Sequence, residues 1–132
     1  MKYKQNNIKI GNMILPRINY NNKIYYPYRY TYEKILLKHG QSINILKKNG
    51  YEEDLLKIKV SFNFNNGGTH NTYCISENGL IKLLNNSNIG GLTVEQKQSM
   101  NLLLKYLGQD LIDEKPRFIK TYDYISSNDY ND

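Results

Sequence analysis

Alanine and tryptophan are absent from this chain of 132 residues, and cysteine occurs once, at position 74. One cysteine excludes an internal disulfide framework and fits a reducing compartment. No apolar run approaches the about 18 residues that cross a membrane. The opening residues MKYKQNNIK lack the apolar stretch of a signal peptide. Together these absences predict a cytoplasmic protein without a membrane segment, and the length predicts one domain able to bury a core without metals.

Arginine is also scarce, three against fifteen lysines, while asparagine and tyrosine are abundant. The favoured residues have AT-rich codons, which predicts an AT-rich genome and accounts for part of the tyrosine excess. Acids are scarce in one half only. Residues 1–50 hold ten Lys and Arg against the single Glu33, a net +9; residues 51–132 hold eight against eleven acids, a net −3, in accord with the overall +6. A basic half beside an acidic one points to contact with nucleic acid, although a lysine-rich solvated surface gives the same count.

Periodicity organises the chain. Residues 1–12 are polar and read as a frayed lead-in. Met13 to Ile18 and Ile24 to Tyr30 are short apolar stretches separated by NYNN, where asparagine tolerates the positive φ of a hairpin turn. Pro27 marks an edge strand or a strand end. In TYEKILLKHG, Thr31 is a candidate cap, Tyr32, Ile35 and Leu36 share a face, and Gly40 is a stop. A second helix is expected from about Ser42 to Lys48, with Ile45 and Leu46 inward and Gly50 closing it. The pair resembles a helix-turn-helix, as do many helical hairpins.

From Leu55 the period becomes two. Leu56, Ile58, Val60, Phe62 and Phe64 fall on one side, Lys57, Lys59, Ser61 and Asn63 on the other. NNGG at 65–68 turns the chain back into THNTYCI at 69–75. Ser76 caps a helix with Glu77 in its first turn and Leu80, Leu83 and Leu84 inward. Thr93 and Gln96 make a capping box for a longer helix with Val94, Met100, Leu103, Leu104 and Leu107 as its stripe and Gly108 as its stop. LIDEKPRFI packs or trails. The class is α+β: a small antiparallel sheet with a central hairpin against about four short helices. Residues 1–118 form the domain, and 119–132 are an acidic, disordered tail.

Catalytic groupings are missing. His39 and His70 have no metal-ligand spacing, Cys74 has no flanking base, and GGTH lacks the surroundings of a phosphate loop. Glu52, Glu53 and Asp54 are consecutive and read as a solvated turn. The chain is therefore expected to be neither an enzyme nor the holder of a metal or cofactor.

Ordered blocks carry a family likeness. They are the aromatic pair Tyr25-Tyr26, the helix Thr31-Tyr32-Glu33-Lys34-Ile35-Leu36, the run from Ile45 to Glu52-Glu53-Asp54, and Ile75-Ser76-Glu77-Asn78-Gly79-Leu80-Ile81-Lys82-Leu83-Leu84, with Ser87 following. This succession over Tyr25 to Leu107 resembles the Bro-N domain, the N-terminal domain of phage antirepressors and baculovirus repeated-ORF proteins. Thr31 stands where that family has Asp, Asn49 where it has His, and its alanines are absent. The resemblance implies a phage or mobile-element protein that contacts DNA.

On this reading Arg17, Lys23, Arg29, Lys34, Lys38, Lys47 and Lys48 are the candidate nucleic-acid contacts, with Arg29 between Tyr28 and Tyr30 foremost. The stretch KIYYPYRYTY at 23–32 either stacks bases or packs; at least two of Tyr26, Tyr28 and Tyr30 are expected to pack. A second reading is a small inhibitor of a host protein such as a repressor or a CRISPR nuclease, since tyrosines favour interfaces. A third is a homodimer sealed by Leu102, Leu103 and Leu104 of the last helix.

Overall fold

A computed structural model of the chain describes residues 3–115. The expected tail at 119–132 lies outside these residues. The polar lead-in is instead a strand, β1 (Tyr3–Ile10), paired in full with β2 (Met13–Tyr20). Backbone hydrogen bonding needs no apolar pattern, so a strand of Gln, Asn and Lys is invisible to periodicity. The turn at 19–22 holds as expected: Asn21 and Asn22 have φ of 52° and 68° and lead into β3 (Lys23–Pro27).

The strand expected to reach Tyr30 stops at Pro27, which serves as the N-cap of α1 (Tyr28–Leu36). Proline has no N–H for a ladder but is suited to a helix start. Thr31 is thus no cap; it is buried inside α1. The helix ends before Gly40, at Leu37, whose φ of 54° and ψ of 30° break it. Ser42 caps α2 (Ile43–Leu46) through Oγ, and a wide turn, Lys47–Tyr51, ends around Gly50 at φ 93°. Of the two residues expected inward, Leu46 is buried, whereas Ile45 is 46% exposed.

The hairpin of β4 (Leu55–Ser61) and β5 (Thr69–Ser76) completes an antiparallel sheet of order β1-β2-β3-β5-β4. β4 is shorter than expected: the chain leaves the strand at Phe62, which still packs against the Ile58–Val60 side as expected, while Phe64 lies in the turn that follows. Two helices follow, α3 (Glu77–Asn85) and α4 (Val94–Tyr106), capped by Ser76 and by the Thr93–Gln96 box. The architecture is α+β.

Side chains alternate between two cores. One face of the sheet gives Leu15, Tyr26 and Ile75 to a core shared with Ile35, Leu36, Leu80, Leu84, Met100 and Leu103 of the helices. The other gives Ile18, Tyr25, Ile58, Val60 and Cys74. That second core is covered by curvature. Gln5 of β1 reaches across to Ser61 of β4, and the Tyr3 hydroxyl donates to the Lys59 carbonyl, so the two edge strands approach and the sheet is nearly closed on itself.

The acidic run is more than a solvated turn. Asp54 accepts from Ser76 Oγ at 3.0 Å and pairs with Lys82 Nζ at 3.2 Å. A Cβ on Gly79 would stand 2.5 Å from Asp54 Cβ, so this glycine is what lets α3 come so close. Glu77 accepts from the Tyr26 hydroxyl at 3.0 Å. The 52–54 and 75–80 blocks therefore meet in space. The segment after α4 packs: Asn101 donates to the Ile112 carbonyl and accepts from its N–H, and Lys97 donates to the Lys115 carbonyl.

Candidate nucleic-acid interface

The early end of β3 creates the site. Pro27 faces Cys74 in the last β3–β5 pair, while β5 extends back to Thr69 with a partner on one side only, β4. The first turn of α1 lies along this unpartnered edge. Two adjoining clefts result, with Arg29 and Thr72 common to both.

The first cleft, about 230 Å³, is cationic. Lys57 faces Tyr73 across the hairpin, with its Nζ 5.6 Å from the ring centroid. Lys47, arriving from the turn after α2, holds its Nζ 5.2 Å from the same centroid. Exposed Arg29 lines the cleft from α1, and Asn71 and Thr72 add polar groups. Ion pairs among the described residues are His39–Glu33 and Lys82–Asp54, so these three cations have no acidic partner there. A tyrosine face attracts ammonium groups by about 0.5–1 kcal/mol at exposed sites. It does not neutralise them, and unpaired cations converging on one cleft favour an anion.

The second cleft, 350 Å³, is aromatic. Tyr30 and Phe62 rings lie 5.2 Å apart, and Phe62 is 6.1 Å from the His70 ring and 6.2 Å from Phe64. Lys34 Nζ sits 5.4 Å from the Tyr30 centroid. The Tyr30 hydroxyl donates to the Ile14 carbonyl of β2, and burial raises its pKa. Glu33 lines the far side and binds His39 Nδ1 at 3.0 Å. These rings are half-buried except for His70, which is exposed.

The residues expected to bind nucleic acid are divided by the fold. Arg29 lines the first cleft, Lys47 reaches the Tyr73 ring at its side, and Lys34 flanks the second. Lys38 lines a separate 360 Å³ cleft with Tyr32, Gln41 and Asn49, and Lys48 is exposed on the turn after α2. Arg17 and Lys23 lie on opposite faces of the sheet, by the alternation that puts Leu15 on one and Tyr25 on the other. Arg17 lies beside Tyr26, its Nε buried with no hydrogen-bond partner among the described residues. Burial, then the Glu77 carboxylate, push the Tyr26 phenol far up, and Arg17 partly offsets them. Lys23 Nζ stands 5.8 Å from the Tyr25 centroid.

Lys57 is the contributor that the sequence reading passed over. Its one signal is its place opposite Tyr73 in the hairpin register. Within KIYYPYRYTY, Tyr25, Tyr26 and Tyr28 are core residues, whereas Tyr30 and Tyr32 are partly exposed.

Other chemistry is sparse. Burial pushes the Cys74 thiol up to about 12, away from nucleophilic use at neutral pH. Among the described residues no three His, Cys, Asp or Glu side chains converge as a metal site, and no helix is long and apolar enough to cross a membrane. No family model, curated protein or solved structure matches the chain.

Proposed function

We propose that this protein is a Bro-N-like regulator from a phage or mobile element that binds DNA without catalysis in the cytoplasm of a bacterial host. The observation that carries the reading is that Lys47 and Lys57 both lie over the Tyr73 ring, in a cleft also lined by Arg29, with no acidic partner for these cations among the described residues. Phosphates would neutralise these cations and release counterions, making affinity fall steeply with salt.

The test is fluorescence anisotropy of labelled AT-rich and random DNA across a salt series. Binding at about 50 mM salt, weakening log-linearly toward about 200 mM, is expected. Absence of binding at the lower salt removes the proposal.

A second reading, inhibition of a host repressor or CRISPR nuclease, draws on α4. Leu102 and Tyr106, one helical turn apart, are 44% and 47% exposed. Leu103 and Leu104 are buried in the core, so a homodimer through this helix would rest on the same two exposed residues. Capture of one stoichiometric host protein, insensitive to nuclease, together with no DNA binding, favours this reading.

A further inference from the structure

We infer that the cleft between the end of α1, the turn after α2 and the end of α3 binds a small sugar bearing one anionic group, a sugar phosphate or a sugar acid. It lies apart from the DNA-facing pair and shares Tyr28 with the cationic cleft. Its walls are fixed before any ligand arrives. Leu37, exposed at a positive φ of 54°, turns the chain so that Lys38 to Gln41 fold over Tyr28. Contact there is tight: a Cβ on Gly40 would collide with the Tyr28 hydroxyl, which donates to the Gln41 carbonyl at 2.9 Å. On the other side Gly50, at φ 93°, leaves Asn49 on the rim and Tyr51 buried. Lys82 pins this turn by donating to the Gly50 carbonyl at 3.2 Å, with its Nζ 4.5 Å from the Tyr51 centroid.

The lining selects the ligand. Gln41, Asn49, Asn86 and Asn88 set four amides around the cleft, and no acid lines it among the described residues. The Tyr32 hydroxyl, the Lys38 ammonium and the Asn88 amide have no hydrogen-bond partner among those residues. Amides and phenols both donate and accept, as do the hydroxyls of a sugar. An apolar ligand would instead bury these groups unpaired. Lys38 is the single cation lining the cleft among the described residues, since Lys82 nearby is paired with Asp54 at 3.2 Å. One ammonium answers one anionic group, so a polyphosphate is not matched. At 360 Å³ the cleft lies at the small end of the range for ligand sites, about 300–1,000 Å³, which suits one sugar ring. Half-buried Tyr32 offers its aromatic face to the C–H side of that ring.

The experiment titrates the full chain with glucose 6-phosphate, glucuronate, glucose and inorganic phosphate in a calorimeter, and follows backbone amide shifts by NMR. Expected is a Kd below about 1 mM for at least one charged sugar, with glucose and inorganic phosphate each about tenfold weaker. Tighter glucose 6-phosphate assigns the anionic group as phosphate, and tighter glucuronate assigns it as carboxylate. The amide shifts of Lys38, Gln41, Asn49 and Asn88 should move. Lys38→Ala and Asn49→Asp, both at exposed positions, should each weaken the complex about tenfold and leave the melting temperature unchanged. The first removes the cation, and the second sets a carboxylate against the anion at constant shape. No binding of either charged sugar at about 10 mM overturns the inference. So does inorganic phosphate that binds as tightly as glucose 6-phosphate, because the ammonium alone then accounts for it. Binding indifferent to both substitutions, or shifts confined to other residues, overturns the assigned cleft. The DNA-binding reading stands or falls separately.

Discussion

Gln5 on β1 holds Ser61 on β4 by both ends of its side-chain amide: Nε2 donates to the Ser61 carbonyl at 2.8 Å and Oε1 accepts from the Ser61 N–H at 2.9 Å. The amide thus copies a peptide group and bridges the two edges of the sheet over the Ile18–Val60 core. Asn7 Oδ1 accepts from the same Nε2 at 3.0 Å, which fixes which end of the amide faces which partner.

Gln5→Ala should therefore open the seam. Both hydrogen bonds to Ser61 and the one to Asn7 are lost at an exposed to half-buried site, a cost of about 1–3 kcal/mol, read as a lower thermal midpoint. Gln5→Glu should be at least as damaging, because a carboxylate cannot donate to the Ser61 carbonyl. Unchanged midpoints for both variants would show that the curl does not depend on this bridge.

Gly79→Ala separates local propensity from packing. In an exposed helix the change gains about 1 kcal/mol. Here the added Cβ meets Asp54 Cβ at 2.5 Å and Cγ at 2.8 Å, and Asp54 is tied to Ser76 and Lys82. A net loss of about 1–3 kcal/mol is expected in denaturant unfolding. Asp54→Ala should not rescue it, since the Cβ remains. A stabilised Gly79→Ala protein would refute the close approach.

Arg29→Ala and Lys57→Glu test the cationic cleft. Arg29 is exposed, so its truncation should change stability by no more than about 0.5 kcal/mol. DNA affinity should fall, with a salt slope smaller by about 1. Lys57→Glu would hand Lys47 and Arg29 an acidic neighbour, so binding should be abolished without loss of thermal stability. A large drop in the melting temperature of Arg29→Ala would mark that residue as structural instead.

Alkali should unfold the protein through buried acids kept neutral. Burial lifts the Cys74 thiol from 9.0 to about 12 and, as the leading cause, the Tyr28 phenol from 10.0 to about 12. Raised pKa values mean that this stabilisation is complete below about pH 9 and drains away as the pH climbs toward 12. Chemical denaturation midpoints at stepped pH should show the decline. In the native protein a thiol reagent should leave Cys74 unmodified at about pH 8 and label it at once in denaturant. Rapid native labelling would contradict the buried placement.

Some elements were written plainly in the residues. Leu56, Ile58 and Val60 alternate with Lys57 and Lys59, and that period is a strand with one dry face wherever it folds. Ser76, and Thr93 with Gln96, satisfy helix ends by bonds to residues three positions away, so their caps are readable without a fold. Asn21 and Asn22 are legible for the same reason, because a turn is a local conformation.

What the chain alone decided was accordingly short-range: the α+β class, most caps and turns, and which residues face a dry side. Long-range association decided the rest. β1 exists because β2 offers it a ladder, the helix begins at Tyr28 because Pro27 leaves the sheet there, and Asp54 meets Gly79 only once α3 has docked. Lys47 and Lys57 come from a turn and a strand to the Tyr73 ring, Arg29 comes from a helix to the cleft beside it, and this grouping is set by strand register and by where β3 stops. Periodicity records how each segment divides its own surface between core and water; it holds no information on which segments become neighbours.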